Sequence, residues 1–279
     1  MVKLNLNHVK YYSSEKKNLN SLRLNMRAFY QFISMFILGF SPMLLAAPYK
    51  RVDDGWHGIV GSKVILRNEP YKGVGHKFLP LPYLVMRRGN FFIDGLKVGY
   101  RMAEGTSGSF DLIITPRLEG FDADDSTILN GMGDRNFTVD AGISMVLKQG
   151  TFNFNFSVLN DIVNKSKGSE VIASISRTYI LTDKKLIVTP DIGLRLQSEN
   201  LINHYYGVNN NQAKPGRPAY TGESTMNYTA SLDLIYSLNK RSNLFMAVEY
   251  EGFGDDVYDS PLVDKERVIS ILLGYGWQF

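Results

Sequence analysis

The 279-residue chain contains no cysteine. That excludes disulfides, thiolate metal sites and a lipid-bearing N-terminal cysteine, and it suits an exported protein that folds without redox help. Histidine is scarce as well, with His8, His57, His76 and His204 making four. No Gly-rich phosphate loop, dinucleotide fingerprint or metal-ligand cluster occurs, and the lone glycines fall in alternating segments and turns. The sequence implies no cofactor and no metal. Long apolar runs are missing beyond residue 47, and so is any extended helical periodicity. The apparent basicity also has little substance. Lys3, Lys10, Lys16, Lys17, Arg23 and Arg27 against Glu15 put +5 into residues 1–47, so the remainder of a chain of net charge +4 carries −1. A nucleic-acid partner needs a basic patch on the folded domain, and none is indicated.

The front of the chain has the form of an export leader. Arg27 precedes an apolar run from Phe29 to Leu45, which closes on Ala46-Ala47. Ser34, Gly39, Ser41 and Pro42 interrupt that run, which fits a removable signal peptide better than a spanning helix. Residues 1–47 are therefore expected to be leader, with translation starting at Met26 as an alternative to Met1. Residues 48–279 form one domain.

What the remainder does have is alternation. Ile269, Ile271, Leu273, Tyr275, Trp277 and Phe279 share one face of the last segment, and Ser270, Gly274, Gly276 and Gln278 share the other. Successive side chains of a strand point to opposite faces, so one side is greasy and the other small or polar. The same pattern runs through 110–118, 137–148, 152–158, 186–197, 226–238 and 244–251. Most of these runs have 9–13 residues, the length of a tilted strand crossing a bilayer. Strands of soluble sandwiches usually have ~5–6 residues. Charged side chains sit mid-strand on the polar faces, at Asp140, Asp191, Arg195, Asp233 and Glu249, as a wet or ion-paired lumen requires. The segment 169–181 fits less cleanly, because Arg177 shares a face with Val171, Ala173 and Ile175. Either a bulge shifts the register there or Arg177 lies near a membrane interface.

Connections alternate in length too. Lys148–Gly150, Thr182–Lys184 and Asn239–Ser242 are tight, whereas 119–136, 160–168, 198–223 and 254–265 are long. Short periplasmic turns and long outer loops are the habit of transmembrane barrels. Counting back from a last strand that ends in the periplasm, residues 103–108 make a turn and the first strand covers about 56–67. Twelve strands result if 80–94 supplies two short ones turning near Arg88-Gly89; ten is the fallback. The expected fold is an all-β, antiparallel up-and-down barrel in the cell outer membrane.

Several segments then match a known family. Leu79-Pro80-Leu81-Pro82-Tyr83, Leu129-Asn130-Gly131-Met132, Asn203-His204-Tyr205-Tyr206-Gly207-Val208, Tyr236-Ser237-Leu238, Asp259-Ser260-Pro261-Leu262-Val263 and the aromatic end together resemble the MipA/OmpV family of outer-membrane proteins. The Tyr-Tyr-Gly-Val and Ser-Pro-Leu-Val pieces are the most specific. The resemblance implies a monomeric outer-membrane barrel that is not an enzyme. It also implies a scaffold, since the founding member is described as a scaffolding protein that interacts with a lytic transglycosylase and one relative as tethering a murein hydrolase and a murein synthase; others are described as surface antigens or adhesins. The alternative is a narrow porin for small solutes.

Candidate site residues follow from these segments. Tyr205, Tyr206 and Gly207 have two readings, as packing of a loop over the barrel mouth or as a contact patch for a partner. Gly207 is the residue that permits a tight bend. Ser260 and Pro261 read as a turn or as the cap and first residue of a short helix. Tyr275, Trp277 and Phe279 form the terminal pattern that barrel assembly machinery reads, next to outer-membrane lipid. His76 or His204 near Asp122, Asp124 or Asp125 would suit a rim hydrolase, but no spacing sets a base against an orienting partner. Asp122–Asp125 and Asp255-Asp256 read as solvated acidic faces rather than cation loops.

Overall fold

The computed structural model describes residues 55–181 and 185–279. The leader, the start at Met26 and the tight turn at 182–184 lie outside the described residues. Twelve strands close into one barrel: β1 His57–Asn68, β2 His76–Arg88, β3 Phe91–Asp94, β4 Lys97–Gly105, β5 Gly108–Arg117, β6 Thr138–Gln149, β7 Phe152–Asp161, β8 Ser169–Arg177 continuing as Tyr179–Leu181, β9 Leu186–Gln197, β10 Thr225–Ser237, β11 Ser242–Gly252 and β12 Arg267–Gln278. Each strand pairs antiparallel with its neighbours in sequence, and β1 pairs with β12 from Ile59↔Gln278 to Arg67↔Ser270, so the sheet has no free first or last strand. Closure satisfies the backbone groups that a bilayer cannot. Among the described residues, no helix is long and apolar enough to cross a membrane.

The faces divide as the alternation requires. On β12, Ile269, Ile271, Leu273, Tyr275 and Trp277 are exposed outward, while Ser270 is buried inside. The outward belt continues through Leu112 and Ile114 on β5, Ile192 and Leu194 on β9, and Leu244, Met246 and Val248 on β11. Aromatic rings cluster toward the periplasmic rim, where amphipathic rings favour a membrane interface. There Trp277 stacks on Phe279, and the Arg241 guanidinium lies 5.6 Å from the Trp277 ring.

The stretch 80–94 does supply two strands, but very unequal ones. β2 begins at His76 and runs 13 residues, whereas β3 has four. Gly89 and Gly95 both take positive φ, +56° and +64°, which side chains other than glycine resist. Two tight turns six residues apart therefore leave β3 no room to rise. At 169–181 the ladder breaks, yet the register does not shift: Asp191↔Ser176 and Val188↔Tyr179 keep one offset. Between them Pro190 faces Arg177 and has no N–H to give, which accounts for the gap. Arg177 lies 5.3 Å from the Phe152 ring and 4.8 Å from the Tyr179 ring, a cation held among aromatics on the outer face.

Above the wall, the outer connections are ordered. They hold α1 Glu199–Tyr206 and the short α2 Asp255–Tyr258. The largest buried apolar cluster lies here, not between the strands.

Candidate functional site

Two layers of side chains fill the outer end of the barrel. The upper layer is a lid built by four of the outer loops. Tyr71 and Val74 come from the β1–β2 loop, Phe121, Leu129 and Met132 from β5–β6, Leu201, Ile202, Tyr205, Tyr206 and Val208 from β9–β10, and Val257, Leu262 and Val263 from β11–β12; all are buried in one cluster. At roughly 1.5–3 kcal/mol per large apolar side chain removed from water, such a cluster is large enough to hold the loops as one body. The Tyr71 ring meets Phe121 edge-on at 4.8 Å and stacks on Tyr206 at 5.8 Å.

Polar stitching fixes the loops to one another. The Arg135 guanidinium donates to the carbonyls of His204 and Gly207 at 3.0 and 2.7 Å, a cation at the carbonyl end of α1. Arg217 donates to the carbonyls of Ile128 and Asn130. The first and last outer loops pair by backbone, with Lys72 N donating to Leu262 O at 2.8 Å and Asp264 N to Pro70 O at 3.1 Å.

Tyr205 and Tyr206 are 1% and 5% exposed, so their rings belong to the lid interior. The Tyr205 and Thr138 hydroxyls lie 3.3 Å apart. Gly207 needs no positive φ; it takes −72°. Its requirement is space, because a Cβ there would stand 2.6 Å from the Asn203 carbonyl oxygen. Ser260 and Pro261 form a turn that follows α2 and does not open a helix. The Ser260 hydroxyl donates to Tyr206 O at 2.7 Å and accepts from Leu262 N at 3.2 Å, tying the two matched loop segments together. Tyr275 donates to the Ser242 hydroxyl at 3.0 Å.

The lower layer is charged and lies at the outer mouth of the lumen. Arg195 on β9 reaches three carboxylates: Glu119 at 2.6 Å, Glu170 at 2.7 Å and Glu251 at 2.7 Å. Arg117 on β5 meets Asp140 at 2.6 Å, Glu170 at 3.0 Å and Glu119 at 3.3 Å. Gln197 donates to Glu170 at 3.1 Å, and Asn227 donates to Gln197 and Glu251. Planar guanidinium forks suit such multiple pairing, and the second partners offset the cost of burial. Burial alone would raise the Glu119 carboxyl, but Arg195 and Arg117 outweigh it and hold the group down at about 2. A cavity of about 340 Å³ extends from Tyr71 and Tyr206 of the lid past Glu119, Arg195 and Glu251 to Asp191 and Glu249 on the lumen wall.

Arg195 was legible from its mid-strand place on a polar face. Glu119 and Glu170 were not, since one lies past a strand end and the other at a strand start, where alternation gives no warning. His204 meets Tyr205 edge-on at 4.7 Å, and its buried Nε2 has no hydrogen-bond partner among the described residues. Burial, then the Arg135 charge, depress its pKa to about 4. Asp125 pairs with Lys77 at 3.1 Å.

The model of the family described as MltA-interacting protein MipA matches residues 60–279. The chain is similar to the MltA-interacting protein of Escherichia coli K12, 26% identical over 223 residues that cover 79% of this chain and 89% of the relative. It is similar to the outer membrane protein OmpV of Vibrio cholerae, 30% identical over 180 residues, 63% of this chain and 68% of the relative. Among solved structures, the translocator domain of the Neisseria meningitidis autotransporter NalP aligns over 91% of this chain and 98% of its own, at 12% identity and a TM-score of 0.39.

Proposed function

We propose that this chain, which belongs to the MltA-interacting protein MipA family, is a closed outer-membrane scaffold whose barrel anchors other envelope proteins. Its place is the outer membrane, where its apolar belt meets lipid. The observation that carries the scaffold reading is the double closure of the outer mouth, by a loop lid with a buried apolar core over a layer of paired charges. A barrel shut in this way offers surfaces at both ends and no free passage through its outer mouth. The partner class is a murein-processing enzyme, lytic transglycosylase or synthase, of the kind to which the name of the Escherichia coli relative points. Within this reading the barrel works as a monomer, the assembly machinery engages the Tyr275–Trp277–Phe279 face, and the lid is the surface an adhesin would present.

Two measurements test it. Purified barrel immobilised on beads should retain murein enzymes from a periplasmic extract, and empty beads should not. In planar bilayers the intact barrel should be electrically silent. Steady single-channel conductance would overturn the closed scaffold and support a narrow channel for small solutes instead.

A further inference from the structure

The wall of the barrel has one place where two strands approach without a ladder. β3 rises only four residues, ~13 Å at the usual spacing, whereas a spanning strand has ~9–11 residues. Past its tip, where Gly95 N donates to Leu84 O at 2.7 Å, β2 runs on from Leu84 up to His76 with β1 as its only strand partner among the described residues. On the opposite side, β5 leaves β4 at Ile114 and continues through Thr115, Pro116 and Arg117 with β6 as its only strand partner among the described residues. A seam thus opens in the outer half of the wall between β2 and β5. It is bounded below by the β3–β4 tip and above by Arg67 and Lys77, which donate to the carbonyls of Leu118 and Gly120 at 3.1 and 3.3 Å.

The sequence has removed three backbone donors from the edges of this seam. Backbone groups of alternate residues point the same way along a strand. The Leu84 carbonyl faces the β3 side, so positions 82 and 80 face it too, and both are proline. On β5, Ser107 O accepts from Lys148 N toward β6, which turns the even positions of the strand toward β4 and, beyond its end, toward the seam; position 116 is proline. Three of the four prolines within the described strands therefore set ring nitrogens where an unpaired N–H would otherwise face hydrocarbon. The Phe78 N–H is the donor left at the upper end of the β2 edge, and the carbonyls of the three prolines remain as acceptors. The side chains of the β2 edge are apolar on both faces: Phe78, Pro80 and Pro82 point outward and Leu79 and Leu81 inward, and the lumen wall nearby holds the buried cluster of Phe92, Ile113 and Leu159.

We propose that this seam is a lateral portal through which the acyl chain of a single-chain amphiphile passes between the outer leaflet and the lumen. The chemistry selects the guest. The β2 edge is apolar from Phe78 to Pro82, prolines remove the donors at 80, 82 and 116, and the bilayer around it is made of acyl chains. Inside, at the foot of the seam, a cavity of about 280 Å³ joins apolar Phe92 and Ile113 to a charged floor at Asp94, Lys97, Arg101 and Asp111, where a polar head group can rest. The closed outer mouth leaves this side entrance as the apolar way in. The proposal is independent of the scaffold role.

The test uses the purified protein in phosphatidylcholine vesicles. A lumen-facing reporter, Leu81→Trp, is placed in a background of Trp56→Phe and Trp277→Phe, and dibrominated stearate is added as the quenching probe. Fluorescence of the introduced indole should fall saturably with the fatty acid and stay bright with dibrominated phosphatidylcholine, whose two chains remain in the bilayer. Because the chain has no cysteine, Leu79→Cys and Thr115→Cys can be joined across the seam by a reducible thiol cross-linker. Joining should abolish the quench, and reduction should restore it in the same sample, which separates closure of the seam from misfolding. Quenching unchanged by the cross-link, absence of quenching, equal quenching by the two-chain lipid, or a second copy seated at the seam and seen as a dimer on native gels would each overturn the proposal.

Discussion

Arg195 is the residue on which the outer end turns, because one guanidinium answers three carboxylates. Arg195→Ala leaves Glu119, Glu170 and Glu251 crowded without their shared cation. Breaking a buried pair from one side costs about 3–5 kcal/mol, so the urea midpoint of the purified barrel should fall clearly. Arg195→Lys should recover little of it, since a compact ammonium cannot fork toward three oxygens. His204 gives the lid a pH dependence. Its folded pKa, about 4, lies below the ordinary histidine value of 6.5, so the unfolded loop binds the proton more readily. Stability therefore rises with pH across this window: the contribution is complete above about 6.5 and lost as pH falls toward 4. Amide protection factors across 199–206, which divide out the intrinsic pH dependence of exchange, should fall as pH drops between those values, and His204→Gln should flatten that response. Unaltered protection down to pH 4 would remove the histidine from the account.

At the scale of elements, strands were easy to read and loops were not. Alternation marked the strands because a barrel wall sorts every second side chain between lipid and lumen. The same rule made Asp140 and Arg195 visible as lumen residues. It failed for β3, whose four residues are too few for any period and which only the glycines at 89 and 95 betray. It also failed for the lid, whose apolar residues follow no period because four loops share one core. Tyr205-Tyr206 could be singled out, but the partners Tyr71, Phe121 and Leu262 lie far away in sequence. The lid makes its own prediction. Tyr206→Ala removes a ring packed against Tyr71, and emptying a large aromatic site costs about 3–5 kcal/mol. The loops should then become sensitive to protease added outside, with the strands still resistant. If cleavage is as slow as in the parent, the loops are held by their polar stitches alone.

For the whole molecule, the C-terminal strand carries both closure and the proposed assembly signal. Deleting Phe279 removes the backbone pair with Gly58, in which each residue donates to the other at 3.0 and 3.4 Å. The fraction of chain reaching the heat-modifiable, folded form in the outer membrane should drop, while the unfolded precursor accumulates in the periplasm. That Gly58–Phe279 pair also brings the two described ends of the barrel side by side at the same rim. Topologically the wall is a ring, and the chain enters it at β1 and leaves it at β12. A circular permutant that joins Phe279 to Gly55 through a short linker and opens at Gly150, in another tight turn of that rim, should keep every strand pair and bury the aromatic end inside the chain. Whether such a ring still inserts would separate completing the wall, which β12 does, from the role in assembly proposed for its aromatic end.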